Sequence, residues 1–290
     1  MNIYGLFIAS GLAVGALYAL GGVGLVLLNR ATGILNFAYG ALGALGAMLA
    51  WQAMQWGAPE PLVWLLPIFV GAFFSLAFGR YIAPHLSQRE PVVKAVATLG
   101  FAIVILGFMN LIWIDTPRKL SLTTDTISLN FAGLRVTLTR LIAFGLALTV
   151  ALSMGVFLAR TRTGLMMRSI AADRDVAALL GTPIRRVETL AWGLSGALAG
   201  FTGLLFGSLV RLDPATLTFL VIPMIATTVV GRLQSIPITF VAGLVIGVIE
   251  SLMTLYKPLA PFRAMTPFVV AIITLMWLQR GRLLTFANED

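Results

Sequence analysis

Apolar residues run along this chain in long continuous blocks separated by short charged intervals. Hydropathy places the blocks at 3–28, 33–54, 61–82, 93–114, 140–159, 189–210, 215–230, 236–256 and 265–279. About 20 mostly apolar residues carry a helix across a bilayer. Only helices and closed barrels satisfy their own backbone there. Barrel strands alternate in segments of roughly ten residues, which these blocks do not. The pattern therefore predicts an all-α, polytopic helical membrane protein forming a single transmembrane domain over 1–290. Two blocks are irregular. The 33–54 block is rich in glycine and begins with Asn36, and the 215–230 block is short and contains Pro223. Either could be a broken or re-entrant helix, which is tolerated only when buried in protein or lining a cavity. The expected count is eight or nine spans. The first block starts almost at Met1, without a basic leader or a cleavage site, and reads as a retained span rather than a signal peptide.

Composition agrees with the pattern. Hydrophobic residues make up 59% of the 290 and charged residues 11%, against roughly 25% charged in a soluble domain. The net charge of +9 needs no nucleic acid, because membrane proteins collect Lys and Arg in cytoplasmic loops. Threading the spans alternately groups Arg30, Arg80, Arg89, Lys94, Arg232, Arg280 and Arg282 with the six arginines of 160–188. Arg118, Lys119, Arg135, Arg140, Arg211, Lys257 and Arg263 fall on the other side. The larger group predicts the cytoplasmic face, with the N-terminus outside and the C-terminus inside.

Segment 160–188 is charged where its neighbours are apolar. It carries Arg160, Arg162, Arg168, Arg174, Arg185 and Arg186. Ala171-Ala172-Asp173-Arg174-Asp175 opens a short helix with acids in its first turn, where they suit the dipole. Gly181 ends it and Pro183 follows. The helix is expected to expose Arg174 and to offer Ala171, Ala178 and Leu179 as a small apolar face. A plain loop obeying the positive-inside rule would not require a capped helix. On the other side, loop 115–139 holds Thr126 to Leu138, which reads as two short strands around Gly133. That hairpin is either a docking surface or a connector.

Catalytic constellations are missing. The one histidine, His85, falls in a loop. No Cys is present, no cluster has metal-ligand spacing, and no G-x-x-x-x-G-K-[ST] phosphate loop occurs. Glu250 is the carboxylate within a span, and at that depth it is either functional or bonded to a neighbouring helix. Asn36, Thr98, Asn110, Thr227 and Thr228 either line a polar path or serve as interhelical hydrogen-bond glue. The pairs Gly11/Gly15, Gly196/Gly200, Gly203/Gly207 and Gly243/Gly247 permit close helix crossing. So sparse a set of charges suits a small zwitterionic or neutral solute better than an ion. An ion-coupled secondary transporter would need further intramembrane carboxylates, and a plain scaffold would need no capped helix.

Several stretches resemble one family. Asp175-Val176-Ala177-x-x-x-Gly181 is similar to the E-A-A-x-x-x-G core of ABC-importer permeases. Gly164 to Ala171, then Ser195-Gly196-Ala197-Leu198-Ala199-Gly200-x-x-Gly203, resemble the LivH/LivM permeases for branched-chain amino acids, the LivH half more closely. Gly33-Ile34-Leu35-Asn36-Phe37-Ala38-Tyr39-Gly40 resembles that family's NFAHG stretch, and Gly231-Arg232-Leu233-Gln234-Ser235-Ile236-Pro237 its GGLGSIPG stretch. Tyr39 stands where His is usual, and Arg232 and Gln234 where Gly is usual.

The resemblance implies a bacterial inner-membrane permease subunit. It would pair with a second permease subunit, two cytoplasmic ATPase subunits and an extracytoplasmic solute-binding protein. ATP and Mg would belong to the partner subunits, with no cofactor on this chain. Ala171, Asp173, Arg174, Asp175, Ala177, Ala178 and Gly181 would form the coupling helix. Asn36, Tyr39, Thr98, Asn110, Thr227, Thr228 and Glu250 are the candidate path. Branched-chain amino acids, urea, short amides and aromatic or organic acids are the expected solutes.

Overall fold

The structure is a computed structural model and describes residues 3–86, 88–113, 118–131 and 134–279. Arg280, Arg282 and the hairpin's Gly133 lie outside the described residues. Seven described helices are long and apolar enough to cross a membrane. Helix α1 spans Ile3–Thr32, and α2 spans Tyr39–Gln55. Helix α3 (Glu60–Ala77) continues through a π-helical turn, Phe78–Ile82, into α4 (Ala83–Leu86). Helix α5 (Pro91–Ile112) precedes a short helical turn, α6 (Thr123–Thr126), and a hairpin of β1 (Ser128–Phe131) and β2 (Leu134–Thr137). Then come α7 (Leu138–Arg160), α8 (Arg162–Ala172), α9 (Arg174–Leu179) and α10 (Ile184–Leu209). The chain closes with α11 (Pro214–Phe219), α12 (Val221–Val230), α13 (Ile236–Met253), a 3-10 segment Ala260–Met265, and α14 (Thr266–Gln279). The two irregular blocks are α2 and the α11–α12 pair, both too short to count among the seven.

Helix α1 is the axis of the fold. Its apolar stretch is 89% buried, against 22% for α5 and 11% for the stretch Ala260–Trp277 that contains α14, so α5 and α14 lie at the rim of this chain. Small residues let neighbours approach α1 and α10 closely. A Cβ on Gly15 would stand 2.6 Å from the Gly243 carbonyl oxygen, and one on Gly11 2.7 Å from the Val248 Cα. The glycine pairs of α1 and α13 thus meet each other. On α10, Gly196 faces Gly71 and Gly200 faces the Pro67 carbonyl, both on α3, while Gly203 faces Gly43 on α2. Serines bond across the same crossings, Ser75 donating to the Trp192 carbonyl at 2.6 Å and Ser195 to the Gly24 carbonyl at 3.0 Å. Such small-residue and hydroxyl contacts are how helices associate where lipid is as apolar as leucine.

Both interruptions have side-chain hydrogen bonds to the backbone beside them. Between α1 and α2 the chain unwinds, with Gly33 at φ +65°. Thr32 Oγ1 accepts the Ile34 N–H at 3.1 Å, Asn36 Oδ1 accepts the Ala38 N–H at 3.0 Å, and Thr98 Oγ1 accepts the Phe37 N–H at 3.2 Å. The second break, at Leu220, follows from Pro223, which has no N–H for the Phe219 carbonyl and crowds it. Asp213 caps α11 by accepting the Thr216 N–H at 2.8 Å.

The hairpin pairs antiparallel in the register Ser128↔Thr137 to Phe131↔Leu134. Thr126 closes the α6 turn rather than opening a strand, which corrects the expected start. The turn forms because Asp125 Oδ2 accepts the Leu122 N–H at 2.9 Å, while Thr139 at the start of α7 donates to Oδ1 at 2.5 Å. Arg118 and Leu212 exchange backbone hydrogen bonds, tying this loop to the α10–α11 connection.

Helix ends sort onto two faces. Arg30, Lys94, Ala171, Arg174 and Gln234 surround one cavity of about 300 Å³. Phe7, Arg140, Val210, Glu250, Thr254 and Arg263 surround another, of about 460 Å³. The start of α1 therefore lies with the hairpin side, and its end with the arginine-rich side, as alternate threading requires.

Candidate functional site

The arginine-rich segment folds as a braced projection. Thr161 accepts the Gly164 N–H at 3.0 Å and starts α8. Gly164 packs against the Phe157 and Leu158 backbone, where a Cβ would overlap. Met167 and Ile170 bury α8 against the bundle, and Arg168 donates to the Ala159 carbonyl at 3.2 Å. Asp173 then breaks the helix in extended geometry, φ −156°, and caps α9. Its Oδ1 accepts the Asp175 N–H at 2.9 Å and the Val176 N–H at 3.0 Å.

The far end of α9 is closed as firmly. Gly181 sits at φ +79°, a left-handed conformation that glycine adopts at least cost. The Gly181 N–H bonds the Ala178 carbonyl and the Thr182 N–H bonds the Ala177 carbonyl, both at 3.0 Å. That paired closure satisfies two carbonyls of a helix only six residues long. Ala177 is buried beneath it.

Two expectations change here. Arg174 does not stand free; it pairs with Glu188 in the first turn of α10. The outward apolar face is Val176, Leu179 and Leu180, exposed by 49%, 87% and 78%. Ala178 and Ala171 are exposed as well, but Ala171 lies back at the end of α8, beside the Arg30 cavity. The i, i+3, i+4 spacing of 176, 179 and 180 was present in the sequence. Glu188, in the same segment, had no assigned role, because its partner is set by how α9 folds back.

The polar candidates within spans fall in separate places. Asn36, Tyr39 and Thr98 gather at the unwound turn before α2. There Thr98 and Asn36 serve the backbone, while Asn36 Nδ2 and the Tyr39 hydroxyl are buried with no hydrogen-bond partner among the described residues. Tyr39 presses against Gly24, where a Cβ would stand 2.5 Å from its hydroxyl. Thr227 and Thr228 are buried in α12 and donate to the Met224 and Ile225 carbonyls at 2.6 and 2.7 Å. Asn110 is exposed on the rim helix α5. Glu250 accepts from the Tyr18 hydroxyl at 2.9 Å, a pairing of residues 232 positions apart.

The turn after α12 repeats the closure at Gly181 with different residues. The Arg232 N–H bonds the Val229 carbonyl at 2.9 Å, and the Leu233 N–H bonds the Thr228 carbonyl at 2.7 Å. Arg232 and Leu233 take φ of +54° and +57°, conformations in which a side chain is strained. Arg232 stands where the resembled stretch has glycine.

A sequence model of the family described as branched-chain amino acid transport system / permease component matches residues 7–278. The chain belongs to this family. It is a multi-pass membrane permease. The LivH permease of Methanocaldococcus jannaschii, a probable branched-chain amino acid transport permease, is 27% identical over 81% of this chain and 76% of its own length. LivH of Salmonella typhimurium, from a high-affinity branched-chain amino acid system, is 23% identical over 94% of this chain and 92% of its own. PsaBC from Streptococcus pneumoniae, solved with Fab, superposes with a TM-score of 0.50 at 13% identity, over 95% of this chain and 91% of that one. The last likeness is one of fold.

Proposed function

We propose that this permease is one membrane subunit of an ATP-binding cassette importer for branched-chain amino acids in the bacterial inner membrane. A second permease subunit completes the solute route, two cytoplasmic ATPase subunits hydrolyse ATP with Mg, and an extracytoplasmic binding protein delivers the solute. The N-terminus lies outside and the C-terminus inside. The spread of intramembrane polar groups over α2, α5, α12 and α13 supports a route completed by a second subunit.

The observation that carries the reading is α9, capped at both ends and pointing Val176, Leu179 and Leu180 into water. Exposed apolar side chains on a rigid, otherwise polar segment mark a docking surface. Force applied at this tip has two ways into the bundle. The Arg174–Glu188 pair leads to α10, whose glycines lock it to α3 and α2. Helix α8 leads to α1 and α7. Packed interfaces of this kind shift between discrete arrangements rather than deforming smoothly. The chain itself performs no covalent step.

The test is the double substitution Leu179→Glu and Leu180→Glu in the co-expressed complex. The ATPase is expected to be lost from the purified permease, and uptake with it, while permease abundance in the membrane holds. Full ATPase retention with wild-type uptake would overturn the coupling assignment.

A further inference from the structure

A groove of about 880 Å³ opens between α7 and α13 on the arginine-rich side. Its mouth is formed by Arg30 from the end of α1, Arg160 from the end of α7 and Arg168 from α8. Arg168 is steered there by its bond to the Ala159 carbonyl, close enough to Arg30 for the two charges to repel. Among the described residues no carboxylate pairs with any of the three, and no Asp or Glu lines the groove.

Away from the mouth the walls are apolar. Leu148, Leu152 and Val156 line one side and Phe240 and Val241 the other. Leu152 is 63% exposed and Val241 57%, and Gly155 leaves the α7 wall open, with nothing within 4 Å of where its Cβ would stand. The groove is thus cationic at the membrane surface and apolar toward the bilayer interior. The cavity near Tyr18 differs, since a carboxylate, Glu250, lines it together with Arg140 and Arg263.

We propose that this groove holds an anionic diacyl phospholipid from that leaflet, its phosphate on Arg30, Arg160 and Arg168 and an acyl chain along Leu148, Leu152 and Val156. Guanidinium groups match phosphate oxygens in pairs of parallel hydrogen bonds. Basic pockets between membrane helices select anionic headgroups. A soluble anion would leave the apolar wall unused, and a zwitterionic lipid would bring its own ammonium beside the three cations and add no net negative charge. The lipid would brace the junction of α1, α7 and α8, next to the docking tip.

Native mass spectrometry of the purified transporter complex, with added phosphatidylglycerol or phosphatidylcholine, tests this directly. The wild type is expected to retain phosphatidylglycerol preferentially. Each arginine near an anionic surface is worth about fivefold, so Arg160→Gln with Arg168→Gln lowers the preference about twenty-fivefold. Leu152→Trp, which keeps every arginine and fills the groove, should also expel the lipid. Equal retention of both lipids by the wild type overturns the proposal, as does undiminished retention in both variants. A disulfide or cross-link from Leu152→Cys to the second permease subunit would likewise overturn it, making the groove a subunit interface.

Discussion

Gly181 and Arg232 occupy the same position in the same helix-ending geometry, and the chain treats them differently. Gly181 takes φ +79° without a side chain to accommodate. Arg232 takes φ +54° with one, and Leu233 after it is also left-handed. A left-handed residue other than glycine costs roughly 1–2 kcal/mol. Arg232→Gly is therefore expected to raise thermal stability by about 1 kcal/mol, read as a higher unfolding midpoint of the purified permease. An unchanged or lower midpoint would mean that the Arg232 side chain makes compensating contacts. Gly181 could be read from sequence because glycine before Pro183 is a local stop signal. The strain at Arg232 could be anticipated only as a departure from a resembled stretch. Glu250 was visible as an intramembrane carboxylate, but its partner Tyr18 was not. Nothing local links positions on the first and thirteenth helices.

At the scale of elements, the apolar blocks located the helices, and their glycine pairs marked close crossings without saying between which helices. The structure supplies the partners: α1 with α13, and α10 with α3 and α2. The prediction at this scale contrasts two glycines. A Cβ on Gly200 would overlap the Pro67 carbonyl, whereas one on Gly100 meets nothing within 4 Å. Gly200→Ala should cost about 1–3 kcal/mol through overpacking. Gly100→Ala should be neutral or slightly stabilising, since alanine is the better helix former. Thermal unfolding of the two variants in the same detergent compares them. Equal midpoints would show that the α3–α10 crossing yields more readily than its geometry implies. The breaks at 33–38 and Leu220 were anticipated from Asn36 and Pro223. The hydroxyl of Thr98 on α5, read as path or glue, bonds the backbone of Leu35 and Phe37 in the first break.

For the molecule as a whole, two faces emerge with opposite furnishings. One carries the hairpin and the start of α1. The other carries the arginines, the exposed tip of α9 and the groove between α7 and α13. Which face meets the cytoplasm is a proposal that labelling can decide, and the absence of cysteine makes the background clean. Arg89→Cys, in the exposed turn before α5, should react with a membrane-impermeant maleimide only after the cells are opened. Ser128→Cys, exposed on the hairpin, should react in intact cells. The reverse pattern would invert the orientation and remove α9 from the cytoplasm.

The sequence by itself determined the membrane class, the positions of the helices, the capped charged segment and the family resemblance. All of these are carried by local composition, by periodicity and by motifs a few residues long. Only the tertiary structure decided that Arg174 turns inward to Glu188, that Val176, Leu179 and Leu180 face out, and that Glu250 meets Tyr18. It also brought Arg30, Arg160 and Arg168 to the mouth of one groove. The physical reason is shared. Each of these facts depends on which residues distant in the chain become neighbours, and in lipid that choice rests on close packing of small residues and on buried hydrogen bonds. Hydrophobicity sets the depth of a helix in the bilayer and leaves its partners open.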